Sequence, residues 1–276
     1  MNDYFIAVNY NNSQYTKKYV ESIEELEGYN TADVKIIIVD NASRQEDVFF
    51  LESFCKERKN VTLIKSKENL GYFGGLNLGL DFVEDKKNNR ILIGNNDLEF
   101  DGKFLVVWKA LKLDSDVMVV CPRVTTIDGH EQNPHVIEKV SGVERFKARL
   151  YFQSYYLLPI FKAMNKLINT LIQSLRNNQS SKHPEYDSEM YIKRGIGACY
   201  ILTSNFFENY DRLDDSVFLW GEEVLLSSQV EDANGKILYL PRLKLTHHES
   251  VSVSKIPSKQ KYNILKESYS IYKDRL

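Results

Sequence analysis

Apolar residues in this chain come in short runs, and each run stops at a cluster of polar side chains. Phe5-Ile6-Ala7-Val8 ends at Asn9-Tyr10-Asn11-Asn12, and Val34-Lys35-Ile36-Ile37-Ile38-Val39 ends at Asp40-Asn41-Ala42-Ser43. Val61-Thr62-Leu63-Ile64 leads to a Gly-rich turn, and Arg90-Ile91-Leu92-Ile93 ends at Gly94-Asn95-Asn96-Asp97. β-Branched runs of this length read as buried parallel strands. The stretches between them, about 16–26, 46–59 and the one through Leu80, read as helices. A β-α-β-α-β-α-β order predicts a parallel sheet with right-handed crossovers. The polar clusters then fall on the carboxyl edge, where open α/β sheets bind ligands.

The second half is more mixed. Strands are expected at 117–121, closed by Pro122, at 197–203 and at 236–240. Between them, Arg145 to Arg176 is dense in aromatic and aliphatic residues. It carries Arg145, Lys147, Arg149, Lys162, Lys166 and Arg176 but no acid. Pro159 is expected to divide it into two helices, and 177–184 reads as a polar loop. Two readings stand for the stretch. It is a helical pair whose apolar stripes face a core, or a monotopic membrane contact whose basic residues suit anionic headgroups.

Composition narrows the class. A chain of 276 residues with 43% hydrophobic content suits a single α/β domain with an insertion. The 36 basic residues against 38 acidic ones give no argument for a nucleic-acid partner. Cys55, Cys121 and Cys199 show no metal-ligand spacing and read as buried thiols in a reducing compartment. The sequence shows no secretory signal, and no apolar window reaches the roughly 18 residues of a membrane span. The expectation is a cytoplasmic protein, peripheral on the inner face of the membrane if 145–176 touches lipid.

Candidate chemistry lies in the clusters. Asp40 can accept hydrogen bonds from a ribose or base edge, or it can serve a helix start. The glycines of Asn69-Leu70-Gly71-Tyr72-Phe73-Gly74-Gly75-Leu76-Asn77 allow close backbone approach to a ligand, or simply a tight turn. Asn95-Asn96-Asp97 offers one carboxylate to a Mg²⁺ or Mn²⁺ ion whose shell phosphate and water would complete, or good turn chemistry. Trp220-Gly221-Glu222-Glu223 offers a general base and a neighbouring carboxyl, or a helix start where Glu favours the macrodipole. His247 is either a packed residue or a metal ligand.

Taken in order, these segments, with Gly197-Ala198-Cys199, resemble glycosyltransferase family 2, and within it the rhamnosyltransferase-like branch. The resemblance covers about 4–110 and 190–255. It implies a GT-A fold: a Rossmann-like, mostly parallel sheet flanked by helices, with a nucleotide-sugar half (1–110) and an acceptor half (111–276) carrying a helical insertion at 145–185. Asn9, Tyr10 and Asp40 would line the nucleoside pocket, and Asn69, Gly71, Gly74 and Asn77 would shape the donor site beside Asn95 and Asn96. Asp97 matches the last acid of the family's DxD-like metal motif, and Asn95 replaces the first. His247, five residues before Ser252, would be the second metal or diphosphate contact. Glu223 stands where the family usually has Asp, and Leu225 where a third acid is common, so the base is Glu223 or Glu222. The implied reaction is an inverting, metal-dependent transfer from a dTDP-rhamnose or UDP-sugar donor to a glycan hydroxyl, in bacterial surface polysaccharide synthesis. A lipid-linked acceptor would go with membrane contact. A sugar nucleotidyltransferase would usually carry basic residues in its first loop, and Asn9 to Gln14 has none. A non-catalytic carbohydrate-binding protein of the same fold is the other alternative.

Overall fold

A computed structural model describes residues 1–138, 140–153, 155, 186–249 and 258–276. The first 95 residues follow the predicted alternation. Strands β1 (Asp3–Asn9), β2 (Val34–Asp40), β3 (Val61–Lys65) and β4 (Arg90–Asn95) alternate with helices α1 (Ser13–Glu24), α2 (Gln45–Lys56) and α3 (Gly71–Leu80). All three strand pairings here are parallel, in the order β3-β2-β1-β4. β1 and β2 are almost wholly buried, which explains their unbroken apolar runs.

Next come β5 (Leu98–Phe100), α4 (Phe104–Lys109), β6 (Val117–Thr126) and α5 (Gly142–Tyr151). They are followed by β7 (Met190–Ile192), β8 (Cys199–Leu202), α6 (Ser204–Asn209), α7 (Glu222–Asp232), β9 (Lys236–His247) and α8 (Ser258–Tyr272). β8 joins the sheet antiparallel to β4 and β6, and β9 runs parallel to β6. β5 and β7 both pair antiparallel with β9. The described residues thus form one nine-stranded sheet.

Strand β6 does not close at Pro122, as the sequence pattern predicts. It continues to Thr126, with a register shift between Pro122 and Arg123. A proline is tolerated in a strand at such an irregularity. The Pro122 carbonyl accepts from Asn133 Nδ2 at 2.9 Å. β9 likewise runs past Leu240 to His247, and this brings the histidine to the edge of the sheet beside β5.

Two cores lie on the sheet's two faces. One gathers Phe5, Tyr19, Phe100, Phe104 and Trp108, and the other Ile6, Phe73, Leu76, Phe206 and Tyr239. The three thiols are buried, and burial pushes each above the usual thiol pKa, so they are packing groups. Of the expected insertion, α5 and its flanks are described. Leu157 through Pro184, including Pro159, Lys162, Lys166 and Arg176, lies outside the described residues, as does Ser252. Among the described residues no helix is long and apolar enough to cross a membrane.

Candidate active site

The ends of β1 and β2 are joined by a closed polar network. Asn9 is fully buried. Its Nδ2 donates to Asp40 Oδ1 at 2.9 Å and to Ser43 Oγ at 3.0 Å. Its Oδ1 accepts from Thr16 Oγ1 at 2.9 Å and Asn96 Nδ2 at 3.1 Å. These four bonds fill the capacity of one amide. Asn9 therefore ties both strands, α1 and the Asn95-Asn96-Asp97 turn together from beneath. Asp40 also accepts from the Ser43 amide at 3.1 Å, which folds the turn that precedes α2. Tyr10, the next residue along, is 43% exposed.

The Gly-rich segment is braced by a residue the sequence reading left out. Asn41 donates to Asn69 Oδ1 (3.0 Å) and the Gly71 carbonyl (2.8 Å), and its Oδ1 accepts from the Leu70 amide (2.9 Å). Gly71 has φ +77°, and a Cβ there would lie 2.2 Å from the Phe218 carbonyl oxygen. A Cβ on Gly75 would press on Val8 at 3.0 Å, one on Gly79 on Ile6 at 2.4 Å, and one on Gly74 on Leu70 at 3.0 Å. The close approach these glycines permit is thus of α3 to the sheet and to the 218 loop. Asn77 is fully buried, and it holds that loop's base. Its Nδ2 donates to the Leu213 carbonyl and Asp215 Oδ2, each at 3.0 Å, and its Oδ1 accepts from the Leu213 amide at 2.9 Å.

Asp97 and His247 meet at the end of β4, where β5 and β9 pair Leu98 with His247. His247 Nε2 lies 3.2 Å from Asp97 Oδ1 and 3.1 Å from Asn95 Nδ2. Its Nδ1 faces Gln132 Oε1 at 2.8 Å. A buried carboxylate beside an imidazole nitrogen is a donor set that suits Mg²⁺ or Mn²⁺. Among the described residues no group of three or more His, Cys, Asp or Glu side chains forms. A cation here would therefore take the rest of its shell from phosphate oxygens and water.

The two glutamates open α7 after a strained turn. Trp220 has φ +64° and Gly221 has φ +109°. A positive φ is costly for a non-glycine residue and clusters at functional sites. Glu222 is 3% exposed, and its Oε1 has no hydrogen-bond partner. Burial, with the adjacent Glu223 charge, pushes its pKa up to about 8. Glu223 is half-buried and turned toward β8: a Cβ on Gly197 would lie 2.8 Å from its Oε1. Arg194 and Tyr272 feel the Glu223 charge. Burial holds the Arg194 guanidinium below its usual pKa and raises the Tyr272 phenol to about 12.

Backbone bonds lock the two carboxylate sites together. The Asn95 amide donates to the Ala198 carbonyl at 2.9 Å, and Tyr72 Oη donates to the Gly197 carbonyl at 2.8 Å. The C-terminal helix, which the periodicity does not reveal, clamps the 214–221 loop. Ser268 Oγ donates to the Leu219 carbonyl at 2.8 Å, and Arg275 pairs with Asp214 at 2.9 Å. The Tyr272 ring fills the space beside Gly221.

A mostly parallel sheet with flanking helices, its first four strands ending in polar turns, is the architecture of the GT-A glycosyltransferases. The sequence model of Glycosyl transferase family 2 matches residues 4–186, and the chain belongs to that family. The low-salt glycan biosynthesis hexosyltransferase Agl10 of Haloferax volcanii is 22% identical over 270 residues, which cover 98% of this chain and 71% of Agl10. Two solved structures share the fold. S. aureus TarS superposes with a TM-score of 0.57 at 13% identity, over 91% of this chain and 37% of TarS. GalNAc-T7, solved with UDP, GalNAc and Mn²⁺, superposes with a TM-score of 0.61 at 12% identity, over 99% of this chain and 49% of its own. The protein is a glycosyltransferase.

Proposed function

We propose that this enzyme is an inverting, metal-dependent transferase. It moves a sugar from a nucleoside-diphosphate donor, dTDP-rhamnose or a UDP-sugar, to a glycan hydroxyl in surface polysaccharide synthesis. The observation that carries this reading is the juxtaposition of the Asp97–His247 pair with the Glu223 carboxylate across the Asn95–Ala198 backbone bond. This arrangement supports a diphosphate anchor at the end of β4 and a proton acceptor on the first turn of α7, on either side of the entry to β8. Agl10 is a hexosyltransferase of glycan biosynthesis, TarS has been solved with UDP and with UDP-GlcNAc, and GalNAc-T7 with UDP and Mn²⁺, which points the same way.

In the reaction the acceptor oxygen attacks the anomeric carbon from the face opposite the diphosphate. The new C–O bond forms as the bond to the phosphate oxygen breaks, and the hydroxyl proton passes to Glu223. Asp97 and His247 would hold the divalent cation, which when bound neutralises the leaving diphosphate. Tyr10 would face the nucleoside, and Asp40, 1% exposed and bonded to Asn9 and the Ser43 amide, would shape that pocket's floor with Asn9 and Asn96. Asn69, Gly71, Gly74 and Asn77 hold α3 and the 213–221 loop where the donor sugar must lie. Glu223 is the base because its carboxylate reaches the Gly197 surface, whereas Glu222 points into the protein and keeps its proton up to about pH 8. The test is turnover of a nucleotide-sugar panel with Mn²⁺. Metal-dependent hydrolysis or transfer is expected, and a protein that binds donors without turnover would be a binding module.

A peripheral membrane contact fits α5. The helix buries none of its residues, and Val143 and Phe146 are 64% and 61% exposed beside Arg145, Lys147 and Arg149. An apolar face flanked by basic residues suits an anionic bilayer surface, where a lipid-linked acceptor would arrive.

A further inference from the structure

Gln132 lies on the return limb of a turn that follows β6. The Thr126 amide donates to the His130 carbonyl at 2.9 Å, and the Gln132 amide donates to the Val124 carbonyl at 2.8 Å. β6 pairs Thr126 with His247, so this limb runs beside the imidazole. The next residue fixes it further: buried Asn133 donates to the Pro122 carbonyl and accepts from the Ile196 amide at 2.8 Å. The Gln132 side chain spans two partners. Its Nε2 donates to Glu249 Oε1 at 2.7 Å, and its Oε1 faces His247 Nδ1 at 2.8 Å.

The chemistry of these partners forces one arrangement. An ionised carboxylate only accepts hydrogen bonds, so the end of Gln132 that faces Glu249 must be the NH₂ end. The other end is then the carbonyl oxygen, which also only accepts. His247 Nδ1 must therefore carry a hydrogen. In a neutral imidazole this leaves Nε2 as the nitrogen with the lone pair, which accepts from Asn95 Nδ2 until a cation displaces that bond. Nε2 is the atom that lies 3.2 Å from Asp97 Oδ1 and 3.1 Å from the Asn95 amide nitrogen.

We infer that Gln132, oriented by Glu249, is a positioning residue that fixes the His247 tautomer and aims its Nε2 lone pair at the cation held with Asp97. The inference rests on the metal reading given above. A group that accepts from the far nitrogen of a ligating imidazole fixes ring and tautomer, and its loss typically weakens metal affinity ten- to a hundredfold. Neither Gln132 nor Glu249 would touch the cation or the sugar.

Two measurements on the full chain test this. In histidine-labelled protein above the imidazole pKa, ¹⁵N shifts should show His247 protonated at Nδ1 and bare at Nε2, with the signal assigned through His247→Asn. Gln132→Ala should give a mixture of tautomers and weaken Mn²⁺ binding in the presence of UDP by about tenfold. Gln132→Glu combined with Glu249→Gln, which keeps an acceptor on Nδ1 and a donor–acceptor pair between the two side chains, should restore the tautomer and bring the affinity within about threefold of the parent, an effect no loss of packing would reverse. His247→Ala should weaken Mn²⁺ at least as much as Gln132→Ala. Weakened binding in His247→Ala with tautomer and affinity unchanged in Gln132→Ala would overturn the inference alone. Unchanged Mn²⁺ affinity in both His247→Ala and Asp97→Ala would overturn the metal reading on which it stands.

Discussion

The ends of β1 and β2 and the start of α7 both place polar side chains at the edge of one sheet, and they treat them in opposite ways. At the first, every hydrogen-bonding atom of the Asn9 side chain is matched within the protein. At the second, a buried carboxyl oxygen of Glu222 has no hydrogen-bond partner. A satisfied buried network rigidifies, whereas an unsatisfied buried carboxyl costs stability. The ends of β1 and β2 thus form a satisfied platform, and an unsatisfied buried acid lies beside Glu223, the proton acceptor proposed above.

If that contrast is right, the largest loss of stability follows from opening the network. Asn9→Ala strips four buried bonds and leaves Asp40, Thr16 and Asn96 short of partners. A loss of about 3 kcal/mol is expected, read in denaturant titrations. A change below about 1 kcal/mol would mean that the platform is not held from beneath.

Glu222→Gln should move stability the other way. The folded carboxyl has a raised pKa of about 8, so the folded state keeps a proton that the unfolded chain gives up from about pH 4.5. The fold therefore loses stability relative to the unfolded chain as pH rises from about 4.5 through 8, and none of this penalty is present below that window. The neutral amide removes it. The variant should match the parent near pH 4 and exceed it by about 2–4 kcal/mol at pH 9, by thermal melts across that range. Equal pH profiles would mean that Glu222 is not a strained buried acid.

Asp97→Ala should change stability least among the three, by about 1 kcal/mol, because one buried contact with His247 is lost and no network opens. Mn²⁺-dependent donor binding should nonetheless disappear, and calorimetry with UDP and Mn²⁺ would check it. For α5, replacing Arg145, Lys147 and Arg149 with Glu should leave melting unchanged. The same variant should release the protein from anionic liposomes in sedimentation at low salt.

The sequence pattern carries the first four strands well, because β1, β2 and β4 are almost wholly buried and each of the four ends at a polar turn. It carries the acceptor half less well for local reasons. β5 is three residues long and follows directly on the Asp97 turn, so no period develops. β6 crosses Pro122 by a register shift that a proline in a strand pattern argues against. α8 buries only Tyr262 and Ser268 of its fifteen residues, too few to form an apolar stripe. Among site residues, Asn41 stood in a cluster already singled out. Gln132 had no signal at all, since its role arises from a 115-residue separation closed by β6–β9 pairing.

Single-turnover transfer by Glu223→Gln, set beside Glu222→Gln with the same Mn²⁺-loaded nucleotide sugar, tests the central claim most directly. Glu223→Gln should bind the donor with affinity near that of the parent and transfer at a rate lower by about 10³-fold, the pattern of a group used in the transition state. Glu222→Gln should retain most of the rate. Full transfer by Glu223→Gln, or loss in Glu222→Gln alone, would contradict the assignment of the base and with it the division of labour between the two edges.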